Sequence, residues 1–267
     1  MTFIAIKIVA AAVIVLVFSV LAERVGPRLA GILMGAPLGA LISYYFVGRE
    51  AGTDYVVASV PHAIAGLVGT LAFTYAYFRA TARFSNLSPF WNAGAGTAAG
   101  LAVYLAWSLA IQDINFTIPL ALGLFLPFMA IFTLLFRRVA DIKVRDPARL
   151  TPSLMAVRAG GAALLVSFIS TIAVFLGPAW SGLLMGFPMT LLPTMLIVHL
   201  TYSKEHVHAF LGAFPVGIGS MVVYVVAVSE TFPRFGVDLG TVSALAAAWT
   251  YLSVLTLAFR WARRFKR

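Results

Sequence analysis

One segment of this chain occurs twice, and this internal repeat constrains the fold more than any other feature. With an offset of 151 positions, residues 26–66 align with residues 177–217 without a gap. Both copies contain the pattern Gly-Pro-x-x-small-Gly-(Ile/Leu)-Leu-Met-Gly-x-Pro, which ends at Pro37 in one copy and at Pro188 in the other. An internal repeat inside an apolar chain is typical of transporter-type membrane folds. The repeat predicts architecture and says little about what, if anything, crosses the membrane.

The composition indicates a membrane protein with little room for a soluble domain. Of the 267 residues, 61% are hydrophobic and 10% are charged, whereas a soluble domain carries about 25% charged residues. The sequence contains no cysteine, which excludes disulfides and thiolate chemistry. Apolar runs of about twenty residues predict membrane-crossing helices, and we find them at 2–22, 27–48, 54–79, 88–111, 114–136, 153–176, 178–201, 205–229 and 238–260.

Turn residues separate several of these runs. Proline and glycine predict turns at Val25-Gly26-Pro27, Ser88-Pro89, Leu176-Gly177-Pro178 and Phe232-Pro233. The first run also has a weak alternative as a cleavable signal peptide. Its repeat copy at 153–176 lies in the middle of the chain, which favours a permanent helix.

The basic residues predict the orientation of the chain. If all nine runs cross, the loops that share a side with the C-terminus hold sixteen of the nineteen Lys and Arg residues, and the other side holds only Lys7, Arg49 and Arg234. This positive-inside bias places the N-terminus outside and the C-terminus in the cytoplasm. It also accounts for the net charge of +10 without a nucleic-acid partner. We expect an integral protein of a bacterial inner membrane.

The resulting fold class is an all-α polytopic membrane protein of about nine transmembrane helices. The first repeat, residues 1–111, and the second, residues 153–267, each contain four helices. Residues 112–152 supply a connector helix and a basic cytoplasmic loop, and the unpaired connector reverses the direction of the second repeat. Two inverted repeats of this kind are the plan of many secondary transporters.

A glycine and a proline two positions apart interrupt the second and seventh runs. These residues are Gly35 and Pro37 in one copy and Gly186 and Pro188 in the other. Proline lacks the amide hydrogen and frees backbone carbonyls. Pro37 lies about ten residues into its run, which at ~1.5 Å per residue is near the middle of a ~30 Å hydrocarbon core. We expect a substrate site between the breaks; the alternative is a simple kink or close packing.

Hydroxyl side chains and one histidine accompany the breaks. Ser43 and Thr194 are repeat partners beyond the prolines, and Thr190 follows Pro188. They are candidates for substrate binding, or for bonding their own helix carbonyls. His62 lies about eight residues into the third run. An ionisable group inside a membrane is a functional hypothesis by default, so His62 is a candidate for proton coupling; the alternative is a neutral packing role.

Two further groups of polar residues lie near the ends of the runs. Lys7 and Arg158 are repeat partners in the first turns of helices at opposite faces, where they could guide an anion or reach lipid headgroups. The second group lies at the cytoplasmic end of the seventh and eighth runs and consists of His199, Glu205, His206 and His208. Its spacing matches no ligand signature, so we expect no metal site.

One stretch of the second copy resembles a known family. Ser181-Gly182-Leu183-Leu184-Met185-Gly186-Phe187-Pro188-Met189-Thr190-Leu191, with His199 downstream, resembles a Gly-Leu…Phe-Pro-Thr segment of the small integral membrane proteins called the GlpM family. Residues 31–37 are similar but lack the threonine and the histidine. The resemblance implies a duplicated and fused version of a protein that would otherwise pair with itself. It implies no catalytic residues.

Together these features predict a secondary transporter of a small solute that works by alternating access. The sparse internal charge favours a small anion, a weak acid or an amino-acid-like molecule. No phosphate-binding loop, HExxH sequence or Ser/His/Asp set is present, so we expect neither an enzyme nor a bound cofactor. Membrane lipids are expected partners, and a homo-oligomer stays open. The alternatives are a flippase or exporter of a lipid-linked substrate, a passive channel, and a non-transporting scaffold or assembly factor.

Overall fold

A computed structural model describes residues 5–13, 16, 32–137, 139 and 151–264, and all regular structure within these ranges is helical. Residues 5–13 form α1, and one helical turn at residues 32–34 precedes α2. The remaining helices are α2 (Leu38–Ala51), α3 (Thr53–Arg83), α4 (Pro89–Ile111), α5 (Ile118–Phe136), α6 (Pro152–Ala173), α7 (Gly177–Gly186), α8 (Leu191–Thr201), α9 (Lys204–Leu211), α10 (Phe214–Gly217) and α11 (Gly219–Arg264).

Long apolar helices dominate the described chain. Six stretches are long and apolar enough to cross a membrane. They are Ile32–Ala51, Thr53–Arg83, Pro89–Ile111, Ile118–Phe136, Gly177–Thr201 and Lys204–Ala258, and α6 contains a shorter apolar helix, Ala159–Ala173. The prediction of an all-helical chain compatible with a membrane protein is therefore confirmed.

The longest stretch reverses direction at one glycine. Gly236 has φ 72° and ψ −179° inside α11, and the side chain of Thr231 donates a hydrogen bond to the carbonyl of Gly240 at 3.0 Å. A continuous helix would hold residues nine positions apart well beyond that distance. The sequence predicted this turn at Phe232-Pro233, which is wrong by about three residues. The helix continues past Pro233, and glycine provides the positive φ at which the chain turns.

Local sequence explains where several helices begin. Helix α4 begins at Pro89, directly after Ser88. Proline suits the first helical position because an amide hydrogen there would have no acceptor within the helix. The side chain of Thr117 accepts a hydrogen bond from the amide of Leu120 at the start of α5, which is a standard N-cap. The connector helix therefore begins at Ile118 rather than at the predicted residue 114. The turn predicted at residues 25–27 lies outside the described residues.

Helix α3 forms the centre of the bundle, and α5 lies at its edge. The most apolar window of α3 is 72% buried, against 17% for α5, because α3 packs against α4, α5, α7 and α11. On α5, Leu120 is 53% exposed and Leu134 is 62% exposed. Such large apolar side chains are stable at a surface that faces lipid. The buried interior of α3 is thus where a polar site would be shielded.

Candidate functional site

The first Gly-x-Pro sequence interrupts a helix as the sequence predicted. The helical turn at residues 32–34 ends, Gly35 to Pro37 are non-helical, and α2 begins at Leu38. The amide of Gly35 bonds the carbonyl of Ile32 at 3.1 Å, and the next full helical bond joins the amide of Leu41 to the carbonyl of Pro37 at 2.6 Å. All three residues of the break are buried.

The second Gly-x-Pro sequence interrupts a helix in the same way. Helix α7 ends at Gly186, and α8 begins at Leu191. The first helical bond after the break joins the amide of Leu192 to the carbonyl of Pro188 at 2.9 Å. Leu192 and Leu41 are equivalent under the offset of 151, so the first helical hydrogen bond after each break forms at the same position of the repeat, although α8 begins two positions later than α2.

The carbonyl freed by each break is satisfied by a hydroxyl from a neighbouring helix. The side chain of Ser220 donates to the carbonyl of Gly35 at 2.8 Å. The side chain of Thr70 donates to the carbonyl of Gly186 at 2.6 Å. A broken helix in a membrane is tolerated when hydroxyl side chains bond the freed carbonyls in this way. These two carbonyls are therefore structural and are already occupied.

Four glycines bring backbones together at two crossings, which we call the first and second glycine junctions. The first joins Gly35 and Gly217, where a Cβ on Gly35 would overlap the backbone of Gly217. The second joins Gly186 and Gly66. A Cβ on Gly186 would lie 3.4 Å from the carbonyl carbon of Gly66. Under the offset of 151, Gly35 becomes Gly186 and Gly66 becomes Gly217, so each junction converts into the other.

The two half-helices that follow the breaks meet each other. A Cβ on Gly39 would lie 3.3 Å from Cβ of Met189 and 3.4 Å from Cγ2 of Thr190. Gly39 and Thr190 are equivalent positions under the offset of 151. This contact therefore joins the same position of the two repeat copies. Buried Ser43 directs its hydroxyl at the sulfur of Met189 at 3.7 Å, and the hydroxyl of Thr194 donates to the carbonyl of Thr190 at 2.9 Å. The predicted substrate residues around the second break and on α2 thus lie together.

His62 lies on α3 about one turn from the second junction. Its Cβ is 3.0 Å from where a Cβ on Gly182 would lie, and its ring packs edge-on against Phe116 at 5.5 Å between centroids. The imidazole faces the backbone carbonyls of Gln112 and Ile114. Its Nε2 atom is buried and has no hydrogen-bond partner among the described residues. His62 therefore faces the connection between α4 and α5 rather than the meeting point of the half-helices.

Lys7 lies inside the protein rather than at an open mouth. Its side chain is 1% exposed and its Nζ atom forms an ion pair with Glu50 at 2.8 Å, while the ammonium lies 5.5 Å from the ring centroid of Phe46. Its charge is balanced by Glu50, and a role in guiding anions stays a prediction. Arg158 belongs to α6, and its side chain lies outside the described part of the structure.

A polar cavity that sequence analysis did not predict lies at the far end of α8. Its volume is about 210 Å³, and it lies between the start of α4 and the connection from α8 to α9. Two buried side chains, Asn92 and His199, line it together with Lys204 and Glu205. The sequence marked His199 and Glu205 by their clustering but gave no signal for Asn92. Within the described ranges, no group of three or more His, Asp or Glu side chains could hold a metal ion.

Hydrogen bonds hold the two deepest histidines of this cluster. The hydroxyl of Tyr77 and Nδ1 of His199 are 2.7 Å apart, and the hydroxyl of Thr81 and Nε2 of His208 are 2.8 Å apart. Both pairs join α3 to the helices that flank the cavity. His206 instead bonds Ser203 at 2.9 Å. The histidines thus belong to separate hydrogen bonds and do not converge on one point.

Comparison with known proteins identifies no relative, since no protein family, no curated protein and no solved structure matches this chain. The class of the protein therefore follows from the fold alone: a helical protein with several apolar helices long enough to cross a membrane. The resemblance to the GlpM family stays a prediction.

Proposed function

We propose that the chain is a secondary transporter that moves a small solute by alternating access. Its substrate would bind where the two interrupted helices meet, near Gly39, Ser43 and Thr190. The observation that carries the proposal is the pair of glycine junctions, which exchange with each other under the repeat offset. A two-fold relation makes residue i contact j and j contact i. Two halves related in this way, with broken helices at their interface, are the plan of inverted-repeat carriers.

Contacts at the two ends of the bundle support nine crossings in this proposal. At the predicted outer end, Arg49 pairs with Asp238 at 2.5 Å, and the hydroxyl of Tyr55 donates to the carbonyl of Ala173 at 2.7 Å. At the predicted cytoplasmic end, Thr81 bonds His208. Each contact joins segments that the nine-crossing topology assigns to one side. With the excess of basic residues, this topology gives an external N-terminus and a cytoplasmic C-terminus in a bacterial inner membrane.

The interrupted helices favour a substrate that carries negative charge. Helix α2 begins at Leu38 and α8 begins at Leu191, and their first turns pack together at Gly39 and Thr190. The N-terminus of a helix carries a partial positive charge, and broken helices of carriers direct it at anionic groups. A small anion, a weak acid or the carboxylate of an amino-acid-like molecule fits this arrangement. His62 is the proposed proton-coupling residue, because its Nε2 atom is buried and has no partner within the part of the chain that the structure describes.

The test is flux into proteoliposomes that contain the purified protein. Small anions, weak acids and amino acids are supplied outside, with and without a pH gradient, and an internal pH dye and labelled substrate report movement. Saturable uptake of one class would support a carrier, and loss of gradient-driven uptake in His62→Gln would support proton coupling. Uptake without saturation would indicate a channel. Silence across the panel from folded protein would contradict transport of these solutes and favour a lipid flippase or a scaffold.

Variants of the prolines test the location of the substrate site. Pro37→Ala and Pro188→Ala restore the missing amide hydrogen and allow each half-helix to become continuous. We expect both to reduce saturable uptake by about tenfold or more, which is the effect of losing roughly 1.4 kcal/mol of substrate or transition-state binding. The matched control is Pro127→Ala, because Pro127 lies inside the peripheral helix α5. Normal uptake by both interface variants would show that the site lies elsewhere.

A further inference from the structure

Two arginines of α3 lie on one face of the helix, directly beyond its contact with α5. The ring of Tyr75 packs against Phe132 at 5.8 Å and against Phe136 at 5.7 Å between centroids. Residues four and eight positions further along a helix lie on the same face, and on α3 these are Arg79 and Arg83. Both are exposed. The face of α3 that packs against α5 therefore continues, past the last turn of α5, as a pair of arginines.

A third arginine lies at the same level of the bundle. Helix α5 ends at Phe136, whose ring lies 5.6 Å from that of Phe78 between centroids. Arg79 follows Phe78 on α3, and the exposed Arg137 follows Phe136 on α5. The two helices thus carry Arg79, Arg83 and Arg137 at the end of the bundle that is predicted to be cytoplasmic, and we call these three residues the arginine patch.

The arginine patch lacks the carboxylates that accompany basic residues at the opposite end. There, each basic residue forms an ion pair: Lys7 with Glu50, Arg49 with Asp238, and Arg234 with Glu230. No member of the patch forms an ion pair with another described residue. Among the described residues of the predicted cytoplasmic side, Glu205 is the only acidic one, and it lies 4.0 Å from Lys204. The patch therefore presents positive charge that the described chain does not balance.

The surface beside the arginine patch is apolar. On the last turns of α5, Ile131, Leu134 and Leu135 are exposed. At the same end of the bundle, α4 begins with the exposed Phe90 and Trp91, and aromatic residues of this kind are typical of the boundary between membrane and water. A ligand of the patch would meet positive charge at the helix ends and hydrocarbon along α5. A free inorganic anion could use only the first of these surfaces.

We propose that the arginine patch binds the headgroup of an anionic phospholipid whose acyl chains lie along α5. A guanidinium group presents its N–H donors in a planar fork that matches the oxygens of a phosphate. Basic residues at the cytoplasmic ends of membrane helices are typical of sites for anionic headgroups. The phosphate would accept hydrogen bonds from Arg79 and Arg83, with Arg137 beside it, and Leu134 and Leu135 would contact the acyl chains. This binding does not depend on transport, so its test needs no flux.

The experiment is native mass spectrometry of the purified full-length chain in a non-ionic detergent, titrated with two phospholipids that have the same acyl chains. Phosphatidylglycerol carries a net negative charge, whereas phosphatidylcholine carries the same phosphate together with a positive charge. We expect phosphatidylglycerol to bind at least about tenfold more tightly and to resist displacement by inorganic phosphate. Equal binding of the two lipids would overturn the proposal. Displacement by phosphate at the concentration of the lipid would also overturn it, in favour of a soluble anion.

Variants of the arginines locate the binding. Arg79→Gln combined with Arg83→Gln should weaken phosphatidylglycerol binding by about tenfold and leave phosphatidylcholine binding unchanged. Arg137→Gln should cause a smaller loss in the same direction. The matched control combines Arg49→Gln with Arg234→Gln, which removes two exposed charges at the opposite end and should leave the binding of both lipids unchanged. Thermal unfolding in detergent verifies that each variant keeps its fold, since all these side chains are exposed.

Two results would contradict the assignment of the lipid to the arginine patch. Undiminished phosphatidylglycerol binding in both patch variants would show that the lipid binds elsewhere on the chain. An equal loss in the control would show that net charge alone, rather than this arrangement of arginines, attracts the lipid.

Discussion

The two glycine junctions join equivalent positions of the repeat, but the backbones approach each other more closely at the first junction than at the second. At the first, Gly35 and Gly217 leave no room for a side chain, since a Cβ on Gly35 would overlap the opposite backbone. At the second, a Cβ on Gly186 would lie 3.1 Å from the carbonyl oxygen of Ala63, and a Cβ on Gly66 would lie 3.4 Å from Cα of Leu183. At the first junction a Cβ atom would overlap the opposing backbone. At the second junction the neighbouring atoms would need to move by only a few tenths of an ångström to accommodate it.

The helices of the two junctions also differ where they end. Beyond the first junction, Arg49 at the end of α2 pairs with Asp238 after the turn of α11. The positions related to these two by the offset of 151 are Leu200 and Leu87, and they border an open polar cavity. Repetition of the backbone therefore does not repeat the chemistry at the ends. The two ends of the bundle therefore differ in chemistry, with an ion pair at one end and a polar cavity at the other.

The glycine substitutions should give the largest effect. Gly35→Ala and Gly217→Ala place a methyl group against opposing backbone, which cannot move as a side chain can, so we expect a loss of about 1–3 kcal/mol or more. Gly186→Ala should cost less because its nearest contact is longer. Thermal unfolding in detergent measures the order. Gly94→Ala is the control, as a Cβ there meets nothing within 4 Å.

An equal loss at both junctions would contradict the difference between them. A loss at neither junction, with Gly94→Ala also neutral, would contradict the close approach of the backbones altogether. Either result would remove the structural basis for treating the second junction as the looser one.

The hydroxyl groups at the breaks should give an intermediate effect. Thr70→Val and Ser220→Ala each leave a buried carbonyl, of Gly186 or of Gly35, without its donor, which costs about 1–3 kcal/mol. Thr70→Ser keeps the hydroxyl and is the matched control. The measurement is again the free energy of unfolding in detergent. If Thr70→Ser is destabilised while Thr70→Val is not, the methyl group rather than the hydrogen bond to Gly186 stabilises the break.

The ion pair at the end of the first half should give the smallest effect. Both partners are exposed, at 45% and 61% for Arg49 and Asp238, and exposed pairs contribute about 0.2–1 kcal/mol. Arg49→Gln should therefore leave stability nearly unchanged, while uptake shifts if opening of this end limits the transport cycle. A double-mutant cycle with Asp238→Asn measures the coupling. A coupling above roughly 2 kcal/mol would show that this end is held far more tightly than an exposed pair permits.

The sequence predicted the local features of the fold and missed those that depend on distant partners. Both helix breaks were predicted from Pro37 and Pro188, because the effect of proline is local. The partners of the breaks, Thr70 and Ser220, could not be predicted, since their role arises only when other helices bring Gly35 and Gly186 beside them. The short helix α10 within the eighth run was not predicted either.

Asn92 illustrates the same limit for the candidate sites. In the sequence it is one polar residue near the start of an apolar run. Its importance depends on the carbonyls of Thr81 and Phe84, which fix its amide, and on a cavity that α8 and α9 complete. The substrate-binding roles of Ser43, Thr190 and Thr194, and the coupling role of His62, stay predictions.

The most direct test of alternating access is to cross-link the two half-helices where they meet. The chain has no natural cysteine, so Gly39→Cys with Met189→Cys forms the only disulfide. Their Cβ atoms would lie 3.3 Å apart, close to the usual distance of about 3.5–4.5 Å. Uptake into proteoliposomes is then measured in the oxidised and reduced states.

Alternating access at this interface predicts saturable uptake by the reduced double variant, its loss on oxidation, and its recovery after reduction. Each single cysteine variant should transport in both states. Undiminished uptake by fully cross-linked protein would contradict the account, because the half-helices would then not need to separate. Absence of saturable uptake from folded wild-type and reduced protein alike would contradict the transporter proposal itself.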